Sequence, residues 1–152
     1  MASDPNPSSA ARLIVCESSG SWSIALRMEL AQMGVRVWQC RSLPEAWEAL
    51  AHTPAAFLVA EVAPENLDAI LKRLVWFPRE FPRARNAIVG GRDMAPYEWL
   101  LREAGTVHFL TSPRKLASLA GLVVRHLANV PPPSQSLADR IWASLPWGPP
   151  GT

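Results

Sequence analysis

Two acidic residues stand where short apolar segments of the chain end, and they are the first candidates for chemistry. Glu17 follows the apolar run at 13–16, and Glu61 follows the run at 57–60. In an open α/β sheet, ligands bind just beyond the carboxyl ends of the strands. Two carboxylates there are suited to a metal ion or to acid–base chemistry, but no lysine or histidine is positioned to act with them. These acids therefore indicate where a site would lie and not which reaction it performs.

A hydroxyl-rich turn after the first apolar run is a second candidate site. Its members share small polar side chains or a glycine backbone, namely Ser18, Ser19, Gly20, Ser21 and Ser23. Hydroxyls and backbone N–H groups at the start of a helix can bind phosphate. The turn superficially resembles the phosphate loop of flavodoxins, and Trp22 or Trp99 could stack on an FMN ring. The other interpretation is that the turn only caps the helix that follows.

Five short apolar segments alternate with five helix-like segments. We expect strands at 12–16, 35–40, 55–60, 86–89 and 107–110. Helices are predicted at 22–33, 43–51, 64–76, 95–104 and from Ser112 to Asn129, with Pro78 and Pro82 ending the third. Strict alternation predicts an α/β fold of three layers, in which a parallel sheet has helices on both faces. Because the second strand alternates in polarity, it should be peripheral, which favours the flavodoxin-like order 2-1-3-4-5.

Composition argues against several classes of function. The net charge is +2 and the basic residues are dispersed, so we expect no binding to nucleic acid. No apolar stretch reaches the length of a membrane span, and residues 1–11 lack the features of a signal peptide. A cytoplasmic location is therefore expected. Cys16 and Cys40 should be reduced, buried thiols, and neither a metal site nor a resident cofactor is predicted.

The chain is predicted to divide into four parts. Residues 1–11 form a disordered leader, 12–129 a domain, 130–136 a proline-rich linker, and 137–152 a C-terminal tail. The large apolar residues of the tail are Ile141, Trp142, Leu145 and Trp147. Such a short amphipathic segment is typical of an anchor that enters a groove. Two alternatives remain at this point: the tail binds a protein partner, or it docks on its own domain.

Residues 12–129 resemble the receiver domain of two-component response regulators. The resemblance rests on an acid that ends the first strand, an acid that ends the third strand with Pro64 close behind, and a fifth strand that leads into Ser112-Pro113. In that family two adjacent acids hold Mg²⁺, and an aspartate after the third strand accepts a phosphoryl group. A Ser or Thr ends the fourth strand, and a lysine precedes the proline.

This chain departs from the family's pattern at nearly every functional position. The acid pair is Cys16-Glu17, the acceptor is Glu61, the hydroxyl is Gly90, the lysine is Ser112, and only Pro113 matches. The resemblance therefore implies a degenerate receiver, or pseudo-receiver. It would be a non-enzymatic domain of bacterial signalling that acts through an unidentified protein partner. Glu61 would either mimic a permanently charged site or be a solvated acid paired with Arg92. The last two helices and the fifth strand are the expected surface for a partner or a homodimer.

Overall fold

The computed structural model describes residues 12–130, and these residues form a five-stranded parallel sheet. The strands are β1 (Leu13–Cys16), β2 (Val37–Cys40), β3 (Phe57–Val62), β4 (Arg85–Gly90) and β5 (His108–Leu110). Their order across the sheet is β2-β1-β3-β4-β5. This confirms the predicted fold class and strand order. The predictions for the leader at 1–11 and for residues 131–152, which include most of the linker and the whole tail, lie outside the described residues.

Five α-helices connect and follow the strands. They are α1 (Ser21–Glu29), α2 (Leu43–His52), α3 (Leu67–Glu80), α4 (Glu98–Glu103) and α5 (Leu116–Asn129). The segment Ser42-Leu43-Pro44-Glu45 has the sequence of a capping box, which predicts a cap for α2. The cap is present, because the Ser42 hydroxyl accepts a hydrogen bond from the backbone N–H of Glu45. In the described part of the chain, no helix has both the length and the apolar character needed to cross a membrane.

The core has two layers because alternate strand residues point to opposite faces of the sheet. Ile14 and Leu58 face one layer, which also contains Leu50 of α2 and Leu74 of α3. The opposite layer is formed by residues such as Val15 and Val59 of the sheet, Leu26 of α1 and Leu119 of α5. The three interior strands, β1, β3 and β4, are therefore buried on both faces. This arrangement fixes the carboxyl ends of β1, β3 and β4 side by side.

The third helix corrects one sequence prediction. Pro78 does not end α3, which continues to Glu80. The proline stands in the last turn, where its missing N–H costs at most one internal hydrogen bond. The continuation places Phe77 and Phe81 in the core, where both rings make edge-on contacts with Trp47. Burial of these rings therefore outweighs the local penalty of the proline.

The starts of α4 and α5 also differ from the sequence predictions. The segment before α4 is a 3-10 helix at Arg92–Tyr97 that contains Pro96, so the α-helix itself begins only at Glu98. A 3-10 turn at Pro113–Lys115 likewise precedes α5. In both places a proline lies in the first turns, where it removes a backbone donor. The helices accordingly begin later than hydrophobic periodicity alone indicates.

Candidate functional site

Glu17 is a buried carboxylate that caps α1. It directly follows β1 and only 3% of its surface is exposed. Its Oε2 accepts the backbone N–H of Trp22 at 2.8 Å, and its Oε1 accepts that of Ser23 at 2.6 Å. The Ser23 hydroxyl donates a third hydrogen bond to Oε1. The N-cap residue is Gly20, which has no side chain, so Glu17 supplies the acceptor that the helix start requires.

The hydroxyl-rich turn is arranged around this carboxylate. The amides of Trp22 and Ser23 are the donors that a phosphate at the start of α1 would use, and Glu17 already binds both. Ser19 and Ser21 bond to each other at 3.0 Å between their hydroxyl oxygens. The Trp22 side chain is buried and unavailable for stacking. A phosphate here would have to displace a negatively charged side chain from inside the protein.

Glu61 lies one residue before the end of β3, and not after it as predicted. It is half-buried, and its Oε1 accepts a hydrogen bond from the Ser18 hydroxyl at 3.4 Å. Its backbone carbonyl accepts the Asn66 side-chain amide at 3.0 Å, which fastens the loop between β3 and α3. The predicted ion pair with Arg92 is wrong: in residues 12–130 the salt bridges are Lys72–Asp68 and Arg102–Glu98.

Gly90 stands at the hydroxyl position, and the surroundings leave no room for a side chain. It pairs with Val62 across β3 and β4. A Cβ atom at Gly90 would lie 2.9 Å from the backbone oxygen of Val62 and 3.1 Å from its Cγ1. The Cβ of Met94 would be 3.4 Å away. The close packing of β4 against Val62 and Met94 therefore requires a residue without a side chain at this position.

Ser112 occupies the lysine position and has a local structural role. Its hydroxyl accepts a hydrogen bond from the backbone N–H of Arg114 at 3.3 Å, which caps the 3-10 turn that Pro113 begins. The nearest cations along the chain, Arg114 and Lys115, are exposed. Among residues 12–130 no three acids, histidines or cysteines group closely enough to hold a metal ion. The edge therefore presents Glu61 as its one accessible carboxylate among the predicted positions.

Cys16 and Cys40 are opposite each other on neighbouring strands β1 and β2. Both are free and buried. The pKa of the Cys16 thiol is raised from 9.0 to about 12, mainly by burial and to a smaller extent by the nearby Cys40 and Glu45. Burial also raises the pKa of Cys40. The pair therefore lacks the thiolate character that nucleophilic or metal-binding cysteines require.

We expect neither thiol of the native protein to react with iodoacetamide at pH 8, although both should react after unfolding in guanidinium. Since the folded pKa of Cys16 exceeds its ordinary value of 9.0, this residue stabilises the fold fully below pH 9. That contribution is lost as the pH rises from 9 towards 12. Intact mass after timed labelling measures the reactivity. Rapid labelling of the native protein would contradict the burial of this pair.

Solved structures share this arrangement of strands and helices. A response regulator from Thermotoga maritima superposes with a TM-score of 0.63 at 19% identity, covering 79% of this chain and 99% of that one. A CheY-like protein, TadZ, from Pseudomonas aeruginosa PAO1 gives 0.63 at 20% identity, with 76% and 98% covered. The beryllofluoride-activated NtrC4 receiver domain dimer gives 0.62 at 17% identity, with 76% and 94% covered. The chain has the fold of a response-regulator receiver domain. No protein-family model matches it, and no curated protein is significantly similar in sequence.

Two features of this receiver fold were not predicted from the sequence. The first is the cap from Glu17 to Trp22 and Ser23. The sequence contains one indication of this cap. The helix begins after Gly20, which has no side chain, so the first amides of the helix need a hydrogen-bond acceptor from another residue. The second is the crowding at Gly90, which depends on Val62 and Met94 from other segments. No local pattern in the sequence could show that contact.

Proposed function

We propose that this receiver-like domain does not accept a phosphoryl group and that it acts in bacterial, cytoplasmic signalling through binding to another protein. It is not an enzyme in this proposal. The shared fold supports a role in signalling, and the residues at the carboxyl edge support the loss of phosphorylation.

The observation that carries the proposal is that the Glu17 carboxylate is already hydrogen-bonded to the start of α1. Its carboxylate accepts three hydrogen bonds from Trp22 and Ser23 and is nearly inaccessible to solvent. A Mg²⁺ ion needs oxygen ligands that can turn towards it in octahedral geometry. Moving Glu17 to such a position would leave the amides of α1 without acceptors. Cys16, the neighbouring position, offers only a buried neutral thiol.

The charge balance at the edge also opposes phosphoryl transfer. A transferring phosphoryl group is stabilised by metal ions and by positively charged or hydrogen-bonding side chains. At the two supporting positions the chain has Gly90, which has no room for a hydroxyl, and Ser112, whose hydroxyl caps the next turn. Glu61 extends one methylene further than an aspartate, so its carboxylate would also be displaced from the attack position.

Incubation with acetyl phosphate and Mg²⁺ should give no acid-labile phosphate on this protein. Intact-mass spectrometry after rapid quenching measures the product, and a phosphorylatable receiver domain treated in parallel is the positive control. We expect the same result for Glu61→Asp combined with Ser112→Lys, because Glu17 and Gly90 still prevent assembly of the site. Stoichiometric phosphate on the unmodified chain would overturn the proposal.

The proposed binding surface is formed by the last two helices and the fifth strand. Trp99 on α4 is 67% exposed, and Tyr97, which precedes α4, and Val107, which precedes β5, are also exposed. β5 lies at an edge of the sheet, so one side of its backbone has no strand partner within residues 12–130. Exposed aromatic residues are enriched among those that contribute most to protein interfaces. The NtrC4 receiver is described as a dimer, and self-association through this surface is part of the proposal.

Replacing Trp99 with arginine should abolish concentration-dependent self-association without changing thermal stability. Trp99 makes no aromatic or cation–π contact within residues 12–130 that its loss would disturb. Sedimentation velocity over a range of concentrations measures the effect. The matched control is Trp76→Arg on α3, a tryptophan that is 55% exposed on a different surface. Equal effects of the two substitutions would place the interface elsewhere.

A further inference from the structure

A groove between β2 and α2 is an apolar recess that the site does not use. It has a volume of about 640 Å³, within the range of sites that bind organic ligands or side chains. Trp38 of β2 and Ala49 and His52 of α2 are among the residues that line it. Trp38 is 51% exposed. We call this recess the β2–α2 groove.

About half of the Trp38 surface is exposed, although a cation lies over its ring. The Arg12 guanidinium lies 5.3 Å from the ring centroid on one side. β2 is the outermost strand of the sheet in residues 12–130, so no further strand covers the groove from outside. Glu45 and Glu48 of α2 also line the groove and are exposed, which gives the α2 side of the groove an acidic rim. A matching occupant is an apolar segment with a neighbouring cation.

We propose that the chain's own residues 137–147 dock in the β2–α2 groove. This segment contains Ile141, Trp142, Leu145 and Trp147, and Arg140 directly precedes the apolar group. The positive charge of Arg140 is complementary to the acidic rim. An indole side chain is complementary to the apolar surface beside Trp38. The other segment outside the described residues, 1–11, has no large apolar side chain after Met1 and offers no comparable match.

The end of α5 lies close enough for this segment to reach the groove. His126, near that end, contacts the Ala55 carbonyl through Nε2 at 2.9 Å, and its ring packs edge-on against Phe57. The Phe57 N–H in turn donates to the carbonyl of Arg12, which lines the groove. The end of α5 and the groove therefore share the amino edge of the sheet.

The intervening residues are numerous enough for the crossing. The strands β3 and β2 are separated by two strand spacings, which is roughly 10 Å. The segment must also pass from the α5 face of the sheet to the α2 face. Residues 131–136 include three consecutive prolines, and in an extended polyproline conformation these six residues span about 19 Å. That length is about twice the distance between β3 and β2.

A double-mutant cycle in the full chain tests the docking. Trp38→Ala and Trp142→Ala should each lower the melting temperature by roughly 4–8 °C. The double variant should lose no more than the larger single loss, because both substitutions remove the same contact. Trp99→Ala is the control, and its effect should add to that of Trp142→Ala. Additive losses for Trp38 and Trp142 would overturn the proposal.

Two further measurements separate the remaining outcomes. In an NMR spectrum of tryptophan indole N–H groups, Trp142→Ala should shift the Trp38 resonance and leave that of Trp99 unchanged. An unchanged Trp38 resonance would overturn the docking even if a groove variant failed to fold. Any dependence of the melting temperature on protein concentration should be the same in the unmodified protein and in Trp142→Ala. A concentration dependence that Trp142→Ala removes would assign the groove to a second copy's tail and overturn docking within one chain.

Discussion

Replacing Glu17 with alanine should lower the free energy of unfolding by roughly 3 kcal/mol. The substitution leaves the backbone N–H groups of Trp22 and Ser23 in a buried position without their acceptor. It also removes the acceptor of the buried Ser23 hydroxyl. Hydrogen bonds to a charged group contribute more than neutral ones, and buried donors without partners carry a desolvation penalty. Urea unfolding at pH 7, followed by circular dichroism, measures the loss.

Glu61→Ala is the matched control for this prediction, since it removes a carboxylate from the adjacent strand at the same edge. Glu61 is half-buried and its carboxylate accepts one weak hydrogen bond, from Ser18. We expect a change within about 0.5 kcal/mol. Glu17→Gln should fall between the two, because an amide retains one acceptor oxygen and offers a donor where the second acceptor was. Equal stability of the two alanine variants would mean that Glu17 does not cap α1.

Gly90→Ser should destabilise the protein by about 3 kcal/mol, as expected for overpacking at a buried position. The new Cβ would lie 2.9 Å from the backbone oxygen of Val62, which belongs to the paired strand β3 and cannot move without disturbing the sheet. Thermal unfolding measures the effect. The substitution restores the hydroxyl that the receiver pattern has at this position, so a stable Gly90→Ser protein would remove a main support for the proposed loss of phosphorylation.

Gly121→Ala is the corresponding control and should change stability in the opposite direction. Gly121 is an exposed residue in the middle of α5, and an added Cβ there meets no atom within 4 Å. Alanine in a helix interior is more stable than glycine by roughly 0.5–1 kcal/mol. A destabilising Gly121→Ala would show that the glycine effect at position 90 is not specific to the crowding by Val62.

The architecture was predictable because burial imposes local patterns. The apolar runs identify β1, β3 and β4, and the alternating run at 35–40 correctly places β2 at the edge. The cap at Ser42 is a local signal, and the structure confirms it. Element ends were less predictable, since tertiary contacts decide them. β3 continues through Glu61 because Glu61 and Val62 pair with Val89 and Gly90. α3 continues past Pro78 because Phe77 and Phe81 are buried against Trp47.

The candidate site was predictable in position but not in its interactions. Residue types alone identify Cys16, Glu61, Gly90 and Ser112 as departures from the receiver pattern. They do not show that Glu17 is turned into the protein, because its partners are backbone amides five and six residues later. Nor do they show that Gly90 is crowded, because Val62 and Met94 approach it only in the folded sheet. Hydrogen bonds to backbone amides and close packing between segments cannot be recognised from residue types alone.

The crowding around Gly90 has a consequence for how this sequence can change over generations. A point mutation that reintroduces a hydroxyl meets the Val62 carbonyl before it can take part in any chemistry. The lysine and second acid would also have to return, and none of these changes offers a benefit alone. Under the proposed function, the crowding at Gly90 therefore opposes a stepwise change to phosphate acceptance, because the substitution at this position destabilises the sheet. Exposed positions such as Trp99 are not restricted in this way by the core.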